Sequence, residues 1–239
     1  MIYGLIVAAG KQTRFGSDFP KALMNYKGNT LLDLNVENLS LYCDKIFVAV
    51  SEENQSFFGK GNYTKLVIDS GRGCGDAVLE ALNQIELTPE DAIFVQWGDC
   101  LLEDSIYEMC INHYECSEGS WMIPCVEEDS PYVRVTQSNF DPPEVLIQFS
   151  KYNEVTGPGF HDLSVFFGNA LDMKTALMHL RTQLECTPGS RNYHHDTHGD
   201  EMLFLDVFNC TNLPAMIIGL EEFHPISFNT LEEYNNLIS

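Results

Sequence analysis

A stretch near the amino terminus carries residues that could bind an anion. The sequence "AAGKQTRFGSDFPKAL" occupies residues 8–23 and gathers Lys11, Arg14 and Lys21 within eleven positions, among two glycines and a proline. Small residues let backbone N–H groups approach an anionic ligand closely, and the side-chain cations neutralise its charge. The alternative is a solvated loop whose cations merely offset nearby carboxylates. We predict that this stretch binds a small anionic ligand such as a phosphate group.

The charge of the whole chain makes that local cluster more informative. The 239 residues include 13 Lys and Arg against 35 Asp and Glu, a formal net charge of −22. A phosphate backbone repels such a surface, so a nucleic acid is not expected as a partner. The eight cysteines form no CxxC pair, which leaves a zinc ribbon without support and favours a reduced compartment.

Strands and helices are predicted to alternate over the first hundred residues. The runs "GLIVAA", "KIFVAV", "KLVID" and "AIFVQ" are continuously apolar, which is typical of buried parallel strands. The segments "TLLDLNVENLSLY" and "GDAVLEALNQI" place apolar residues at helical spacing, with Thr30 as a candidate N-cap. This order predicts a doubly wound parallel sheet, which binds ligands at the carboxyl ends of its strands.

The middle of the chain has a different pattern. Short apolar runs at residues 120–170 lack long helices between them, which predicts a mixed or antiparallel region closing one side of the site. We expect the segment "TGPGFHD" at residues 156–162 to be a substrate loop. Helices are predicted near residues 172–184 and 200–208, then a strand "AMIIGL" and a short helix from Thr230. We therefore predict one domain over residues 1–239, in which residues 1–115 and residues 116–239 form two halves with different patterns of secondary structure.

Two common phosphate motifs do not match the opening stretch. A Walker loop fails at Phe15, and the GxGxxG fingerprint fails because Lys11 and Gln12 follow Gly10. The stretch "LIVAAGKQTRFGSDFPKAL" instead resembles the signature of the nucleotidylyltransferases, AAGxGTR followed by a short spacer and PK. It is most like the uridylyltransferase domain that makes UDP-N-acetylglucosamine, and it is also similar to the cytidylyltransferase of the methylerythritol-phosphate pathway. Gln12 stands where the family usually has glycine.

Later segments extend the resemblance along the chain. "GRGCGDAVLEAL" is similar to a family loop that opens a helix, and "WGDC" resembles a strand end that holds magnesium. "DEMLFLDVFN" and "ISFNTLEEYNNL" resemble later family segments. The resemblance implies an α/β, three-layer, Rossmann-like fold of the nucleotide-diphospho-sugar transferases. The implied fold has a central, mostly parallel mixed sheet and a small antiparallel substrate flap. By the resemblance, residues 1–115 would be the nucleotide-binding half and residues 116–239 the acceptor-binding half.

The resemblance also implies a reaction and roles for particular residues. The implied reaction transfers NMP from an NTP, with UTP or CTP favoured, to a phosphorylated acceptor such as a sugar 1-phosphate or a phospho-alcohol, and pyrophosphate leaves. Its expected role is the synthesis of surface-polysaccharide precursors. Arg14 and Lys21 would be catalytic, and Mg²⁺ would be the cofactor, held by Asp99 and Asn229. The expected nucleotide contacts are Val7, Ala8, Ala9, Gly10, Lys11, Arg72, Gly73, Gly75 and Gly98. The expected acceptor contacts are Glu154, Gly157 and Asn169.

Other readings of the chain stay open. A glycosyltransferase of the related nucleotide-sugar fold and a catalytically silent nucleotide-binding subunit are the alternatives. The histidines of "SRNYHHDTHGDE" (His194, His195 and His198) could form a transition-metal site, although an acceptor-side loop is favoured. No apolar run approaches the length of a membrane helix, so we expect no membrane partner and a cytoplasmic protein, which could be a homo-oligomer.

Overall fold

The computed structural model describes most of the chain. The residues described are 1–10, 15, 19–69, 72–117, 119–137, 145–149, 157–186, 202–211, 213–221, 223, 225–228 and 230–238. The strands are β1 Ile2–Val7, β2 Asn25–Tyr26, β3 Asn29–Thr30, β4 Lys45–Ser51, β5 Thr64–Ile68, β6 Ala92–Trp97, β7 Cys100–Leu101, β8 Trp121–Glu128, β9 Val133–Gln137, β10 Val145–Phe149, β11 Gly159–Asp162, β12 Val165–Asn169, β13 Ala215–Leu220 and β14 Ile226–Ser227. The helices are α1 Leu31–Leu39, α2 Cys74–Asn83, α3 Asp104–Glu115, α4 Ala170–Cys186, α5 Asp206–Cys210 and α6 Leu231–Ile238.

One mixed sheet of ten strands runs through the molecule. Its order is β10-β9-β11-β8-β12-β6-β1-β4-β5, and β13 lies beside β8. The strands β6, β1, β4 and β5 are parallel, whereas β12 is antiparallel to both β6 and β8. The strands β8 to β11 form the antiparallel part predicted for the middle of the chain. The prediction of a central, mostly parallel mixed sheet is confirmed.

Helices cover both faces of this sheet and make the structure three-layered. On one face α2 and α4 pack against side chains such as Leu5 and Val95. On the other face α1 and α3 pack against side chains such as Ile6 and Phe94. Successive side chains of a strand point to opposite faces, so a strand covered on both sides must be apolar throughout. This explains why the parallel strands are continuous apolar runs.

The ends of the helices follow from local hydrogen bonds. Helix α1 begins after Thr30, as predicted, since Thr30 Oγ1 accepts a bond of 3.0 Å from the Asp33 N–H. The Asp33 carboxylate accepts the Thr30 N–H in return, which completes a capping box. Helix α6 begins after Thr230 in the same way, because Thr230 Oγ1 accepts the N–H of Glu233 at 3.2 Å.

Two expectations from the sequence were wrong in detail. The residues "GFHD" are strand β11, paired with Glu128 to Cys125 of β8, and not a loop lying across the cleft. The helix expected from residue 200 begins at Asp206, because the backbone of Met202 bonds to the loop before α2 instead. Among the described residues, no helix is long and apolar enough to cross a membrane.

Candidate active site

The order of the parallel strands creates a cleft beside β1. The chain proceeds from β1 to β4 and β5 on one side, and β6 then lies on the other side of β1. Val7, the last residue of β1, pairs with Trp97 at the end of β6. Loops that leave two neighbouring strands in opposite directions form a crevice at the carboxyl edge of the sheet, where open α/β sheets bind ligands. The opening stretch and the "WGDC" turn therefore meet at one edge.

The backbone at this edge is closely packed on one side and open on the other. The Gly98 N–H donates to the Val7 carbonyl at 3.0 Å. A Cβ at Gly98 would lie 3.1 Å from Ala22 Cβ and 3.3 Å from Val7 O, so glycine is needed for this close approach. Ala8 and Ala9 are buried, whereas Gly10 is exposed and a Cβ there would meet nothing within 4 Å. Among the described residues, none would contact a Cβ placed at Gly10.

Lys21 is brought to the same edge from the far end of the opening stretch. Pro20, with φ −60°, precedes a short 3-10 helix over Lys21–Leu23, which turns the lysine inward. The residue is buried, with 9% exposed, and its Nζ donates to Asp99 Oδ2 at 3.2 Å and to the Phe228 carbonyl at 3.1 Å. Three segments that are remote in sequence converge on one ammonium group.

Aromatic rings enclose that ammonium group. Lys21 Nζ lies 5.8 Å from the ring centroid of Phe15 and 6.0 Å from that of Phe228. The two rings are 5.6 Å apart, and Tyr234 of α6 stands 5.0 Å from Phe228. A cation over an aromatic face is attracted by the ring quadrupole. Phe15 and Phe228 were not predicted as neighbours of Lys21, because an apolar residue after a strand indicates only a position in the hydrophobic core.

Asp99 lies in the turn between β6 and β7. Its side chain is 39% exposed, so one end of the carboxylate faces solvent in the cleft while Oδ2 holds Lys21. Strand β7 pairs with β14, Cys100 opposite Ser227 and Leu101 opposite Ile226. This pairing brings Ile226 and Ser227 of the carboxyl-terminal segment next to the residues that follow Asp99.

The chemistry of Asp99 fits a hard divalent cation. Mg²⁺ prefers oxygen ligands and usually keeps several waters, so few protein groups are needed. A partly exposed carboxylate at the carboxyl edge of the sheet meets that requirement. In the part of the chain that is described, no group of three or more His, Cys, Asp or Glu side chains could hold a metal ion by itself.

The "GRGCG" loop is held against a second segment. Gly73 precedes α2 with φ +110°, and the Gly75 N–H donates to the Met202 carbonyl at 2.9 Å. A Cβ at Gly75 would lie 3.0 Å from backbone atoms of residues 202–204, so no side chain fits. The Met202 N–H donates to the Arg72 carbonyl at 2.6 Å. Residues 72–75 and residues 202–204 therefore form one wall at the amino end of α2.

The side chain of Arg72 projects from that wall. It pairs with Glu185 of α4 at 2.8 Å, and both side chains are more than half exposed. A second set of ion pairs joins α4 to α2 itself, because Arg181 of α4 bonds to the carboxylates of Asp76 and Glu80 of α2. Arg72 is thus at the solvent rim of the loop, within reach of a charged partner.

The structure separates the two described acceptor candidates. Gly157 lies before β11 with φ +93°, and its carbonyl accepts a bond from Arg134 of β9, so it belongs to the flap. Asn169 lies elsewhere, paired with Ala92, the first residue of β6. Five residues at about 3.3 Å each put it about 16 Å from the Trp97 end.

Asn169 instead begins helix α4. Its Oδ1 accepts the N–H groups of Leu171 and Asp172, both at 3.0 Å, and its Nδ2 donates to the Pro89 carbonyl at 2.6 Å. The prediction of Asn169 as an acceptor contact is corrected: the side chain is a helix cap at the opposite edge of the sheet. The remaining candidates lie outside the described residues, namely Lys11, Gln12, Arg14, Glu154, His194, His195, His198 and Asn229.

Comparison with known proteins identifies the class to which this fold and site belong. Residues 4–153, more than half of the chain, match the MobA-like NTP transferase domain. The chain belongs to this family. The match spans the opening stretch, the "GRGCG" loop and the "WGDC" turn.

Individual relatives show more limited similarity. The 2-C-methyl-D-erythritol 4-phosphate cytidylyltransferase of Thermosipho africanus is 33% identical over 107 residues, which cover 41% of this chain and 46% of that protein. The bifunctional protein GlmU of Vesicomyosocius okutanii is 28% identical over 145 residues, covering 58% of this chain and 31% of that protein. The chain thus matches less than half the length of these curated relatives.

Solved structures share the fold over the whole chain. A protein from Bacillus anthracis, proposed to be a glucose-1-phosphate thymidylyltransferase, superposes with a TM-score of 0.74 at 13% identity, covering 99% of this chain and 94% of that one. The CTP:phosphocholine cytidylyltransferase LicC of Streptococcus pneumoniae superposes with a TM-score of 0.64 at 14% identity, covering 99% and 97%. At these identities the similarity concerns the fold alone.

Proposed function

We propose that the protein is a nucleotidylyltransferase that transfers NMP from an NTP to a phosphorylated small-molecule acceptor. The observation that carries the proposal is the ion pair at the carboxyl edge of β1 and β6, in which Lys21 Nζ lies 3.2 Å from Asp99 Oδ2. Membership of the MobA-like NTP transferase family supports it. The domain prediction, one domain over residues 1–239, is supported by the single ten-stranded sheet to which both halves contribute.

The proposed reaction needs electrostatic partners more than a general base. An oxygen of the acceptor phosphate attacks the α-phosphorus of the NTP, the bond to the bridging oxygen breaks, and pyrophosphate leaves with that electron pair. A phosphomonoester has a second pKa near 6 and is already largely ionised at neutral pH, so no proton has to be removed. Catalysis then rests on alignment and on stabilisation of charge in the transition state.

The residues of this chain divide those tasks. The backbone from Val7 to Gly10 and the "GRGCG" loop would cradle the nucleotide. Lys21 would move its ammonium group from Asp99 to the α-phosphate and stabilise the negative charge that develops there. Arg14 and Lys11 would contact the leaving phosphates, and Arg72 would add charge at the rim.

Asp99, with Asn229, would hold Mg²⁺. When bound, this ion neutralises phosphate charge and orients the triphosphate. The carboxylate of Asp99 supplies a charged oxygen, and Asn229 would supply a neutral one, so Asp99 carries more of the proposed affinity. The exposed fraction of the Asp99 side chain, 39%, leaves room for such a ligand.

The substrates are proposed more specifically from the relatives. We favour UTP or CTP, because matched proteins are named as a methylerythritol-phosphate cytidylyltransferase and as GlmU. The acceptor would be a sugar 1-phosphate or a phospho-alcohol, since structural neighbours are named for glucose 1-phosphate and phosphocholine. Gly157 and Glu154 would lie on the acceptor side. We propose that the product serves the synthesis of surface-polysaccharide precursors and that the protein acts in the cytoplasm.

A pyrophosphate assay tests the proposal. The protein is incubated with Mg²⁺, each of the four NTPs and a panel of acceptors: glucose 1-phosphate, N-acetylglucosamine 1-phosphate, phosphocholine and 2-C-methyl-D-erythritol 4-phosphate. We expect pyrophosphate release that requires one acceptor and one pyrimidine nucleotide, with the NMP recovered on the acceptor. Consumption of a nucleotide sugar instead would indicate a glycosyltransferase, and nucleotide binding without turnover would indicate a silent subunit.

A further inference from the structure

The backbone that follows Asp99 is held by two side-chain amides. The carbonyl of Cys100 accepts one bond from Asn35 Nδ2 of α1 at 3.0 Å and another from Gln96 Nε2 of β6 at 3.0 Å. Both lone pairs of that carbonyl are therefore engaged by groups from other elements. The carbonyl belongs to the residue next to the proposed metal ligand.

The two amides belong to a closed, buried network. The second hydrogen of Gln96 Nε2 is donated to Asn35 Oδ1 at 2.8 Å, and the Tyr107 hydroxyl of α3 donates to Gln96 Oε1 at 2.8 Å. Asn35, Gln96 and Tyr107 are each 0% exposed. Burial raises the pKa of the Tyr107 hydroxyl, so it stays protonated and can act as a donor. Buried polar groups cost free energy unless they are paired, and here each amide orients the next.

The turn is also fixed on the side before Asp99. The Trp97 N–H donates to the Ser164 carbonyl at 3.0 Å, and the Gly98 N–H donates to the Val7 carbonyl at 3.0 Å. With Cys100 held as well, the backbone is anchored at each residue that flanks Asp99. The carboxylate is then presented from a fixed point, while its own side chain reaches the solvent of the cleft.

A neighbouring asparagine provides an internal comparison. Asn38, one turn further along α1, donates from Nδ2 to the Leu102 carbonyl at 2.9 Å and is half-buried. It makes the same kind of bond from the same helix, but to a carbonyl three residues beyond Asp99. If such bonds served only to join α1 to β7 and the segment after it, Asn35 and Asn38 would be equivalent. The convergence of two amides on Cys100 distinguishes Asn35.

We infer that Asn35 and Gln96 are positioning residues that fix the Asp99 carboxylate for the metal–nucleotide complex, with Tyr107 orienting Gln96. This inference rests on the proposed function. Groups that orient a metal ligand through a hydrogen bond contribute about 10–100-fold to metal affinity or activity in other proteins. Neither residue touches the substrate, so the effect would pass through the backbone of the 98–100 turn.

The first test uses the metal-free protein and needs no activity. Amide hydrogen exchange is followed by mass spectrometry on a peptide covering residues 98–101 in wild type, Asn35→Ala and Asn38→Ala. Local opening of a segment sets its exchange rate. We expect exchange about threefold or more faster in Asn35→Ala and unchanged in Asn38→Ala. Equal rates in all three proteins would overturn the inference.

The second test measures the metal requirement of nucleotide binding. Binding of the preferred NTP is titrated by calorimetry with EDTA and at increasing Mg²⁺ concentrations. For Asn35→Ala we expect about a tenfold higher Mg²⁺ concentration at half-maximal binding, with metal-free binding unchanged. Asn38→Ala should keep the wild-type Mg²⁺ requirement. A variant that only loosened the fold would weaken binding with and without metal alike.

A milder variant covers the case in which Asn35→Ala fails to fold. Tyr107→Phe keeps the ring and removes only the donor to Gln96, so we expect the same direction with a smaller rise in the Mg²⁺ requirement. A wild-type requirement in a folded Tyr107→Phe or Asn35→Ala protein would contradict the inference alone. If wild type itself bound NTP without any response to Mg²⁺, the proposed metal-dependent function would fail instead.

Discussion

Replacing Lys21 by methionine separates its proposed chemical role from its part in the fold. Methionine keeps the length and the apolar stem of the side chain but removes the ammonium group. That group makes bonds of 3.2 Å to Asp99 and 3.1 Å to the Phe228 carbonyl. The apolar stem would still fill the space beside Phe15, so no large cavity forms.

The two consequences differ in size. Asp99 is 39% exposed, so water replaces its lost partner at little cost. The buried Phe228 carbonyl loses one donor, which costs about 1 kcal/mol and lowers Tm by about 2–4 °C for a chain of this length. The transition state loses a charge partner, for which a fall of about a hundredfold in kcat is expected, equivalent to about 2.7 kcal/mol.

The assay is continuous pyrophosphate release at saturating NTP and acceptor, with thermal melting in parallel. Lys27→Met is the matched control, since Lys27 is exposed on the β2–β3 turn six positions later and its Nζ lies over Tyr26. The control should retain wild-type turnover and stability. If Lys21→Met kept kcat within about threefold of wild type while folded, the role assigned to the ammonium group would be refuted.

Three further outcomes follow from the site. Asp99→Asn should weaken NTP binding by about tenfold or more with Mg²⁺ present and leave it unchanged in EDTA, as measured by calorimetry; equal losses in both conditions would contradict the metal role. Gly75→Ala should destabilise the protein by about 1–3 kcal/mol in urea unfolding, because the added Cβ would lie 3.0 Å from backbone atoms. The control Gly59→Ala should be close to neutral, since a Cβ there would meet nothing within 4 Å. Arg72→Ala should change stability by less than about 1 kcal/mol, since its pair with Glu185 is exposed, but should raise the KM for NTP about tenfold. An unchanged KM for NTP would contradict the proposed contact of Arg72 with the nucleotide.

The parts of the fold with local signals were predictable. The runs ending at Val7 and Trp97 are apolar because both faces of their strands are covered, and that burial is visible in the sequence itself. The capping pair of Thr30 and Asp33 is equally local. Lys21 and Asp99 could be assigned to one site because each follows a predicted strand or the loop after it, and strand ends of a parallel sheet share one edge. Their ion pair was not predicted.

The errors arose where distant contacts decide the outcome. Asn169 follows a strand, as a ligand contact would, but the direction of β12 is set by its antiparallel pairing with β6. Strand β11 is only four residues long and exists through its pairing with β8. The acceptor at Phe228 is a backbone carbonyl group, so the residue type at this position does not predict a hydrogen bond with Lys21. Periodicity cannot report such pairings.

In the proposed mechanism, the ion pair with Asp99 holds the Lys21 ammonium group at the site until the phosphate of the nucleotide binds. In a protein of net charge −22, each group neutralises the other while the cleft holds no nucleotide. In the proposed mechanism a metal and Lys21 would compete for the same carboxylate, and a metal–triphosphate complex would offer each of the two side chains a new partner. Removing the ammonium group in Lys21→Met should therefore ease metal binding to Asp99 while it slows turnover. The affinity for metal would then rise while the turnover rate falls. Loss of folded protein cannot produce this result, because it lowers both the metal affinity and the turnover rate.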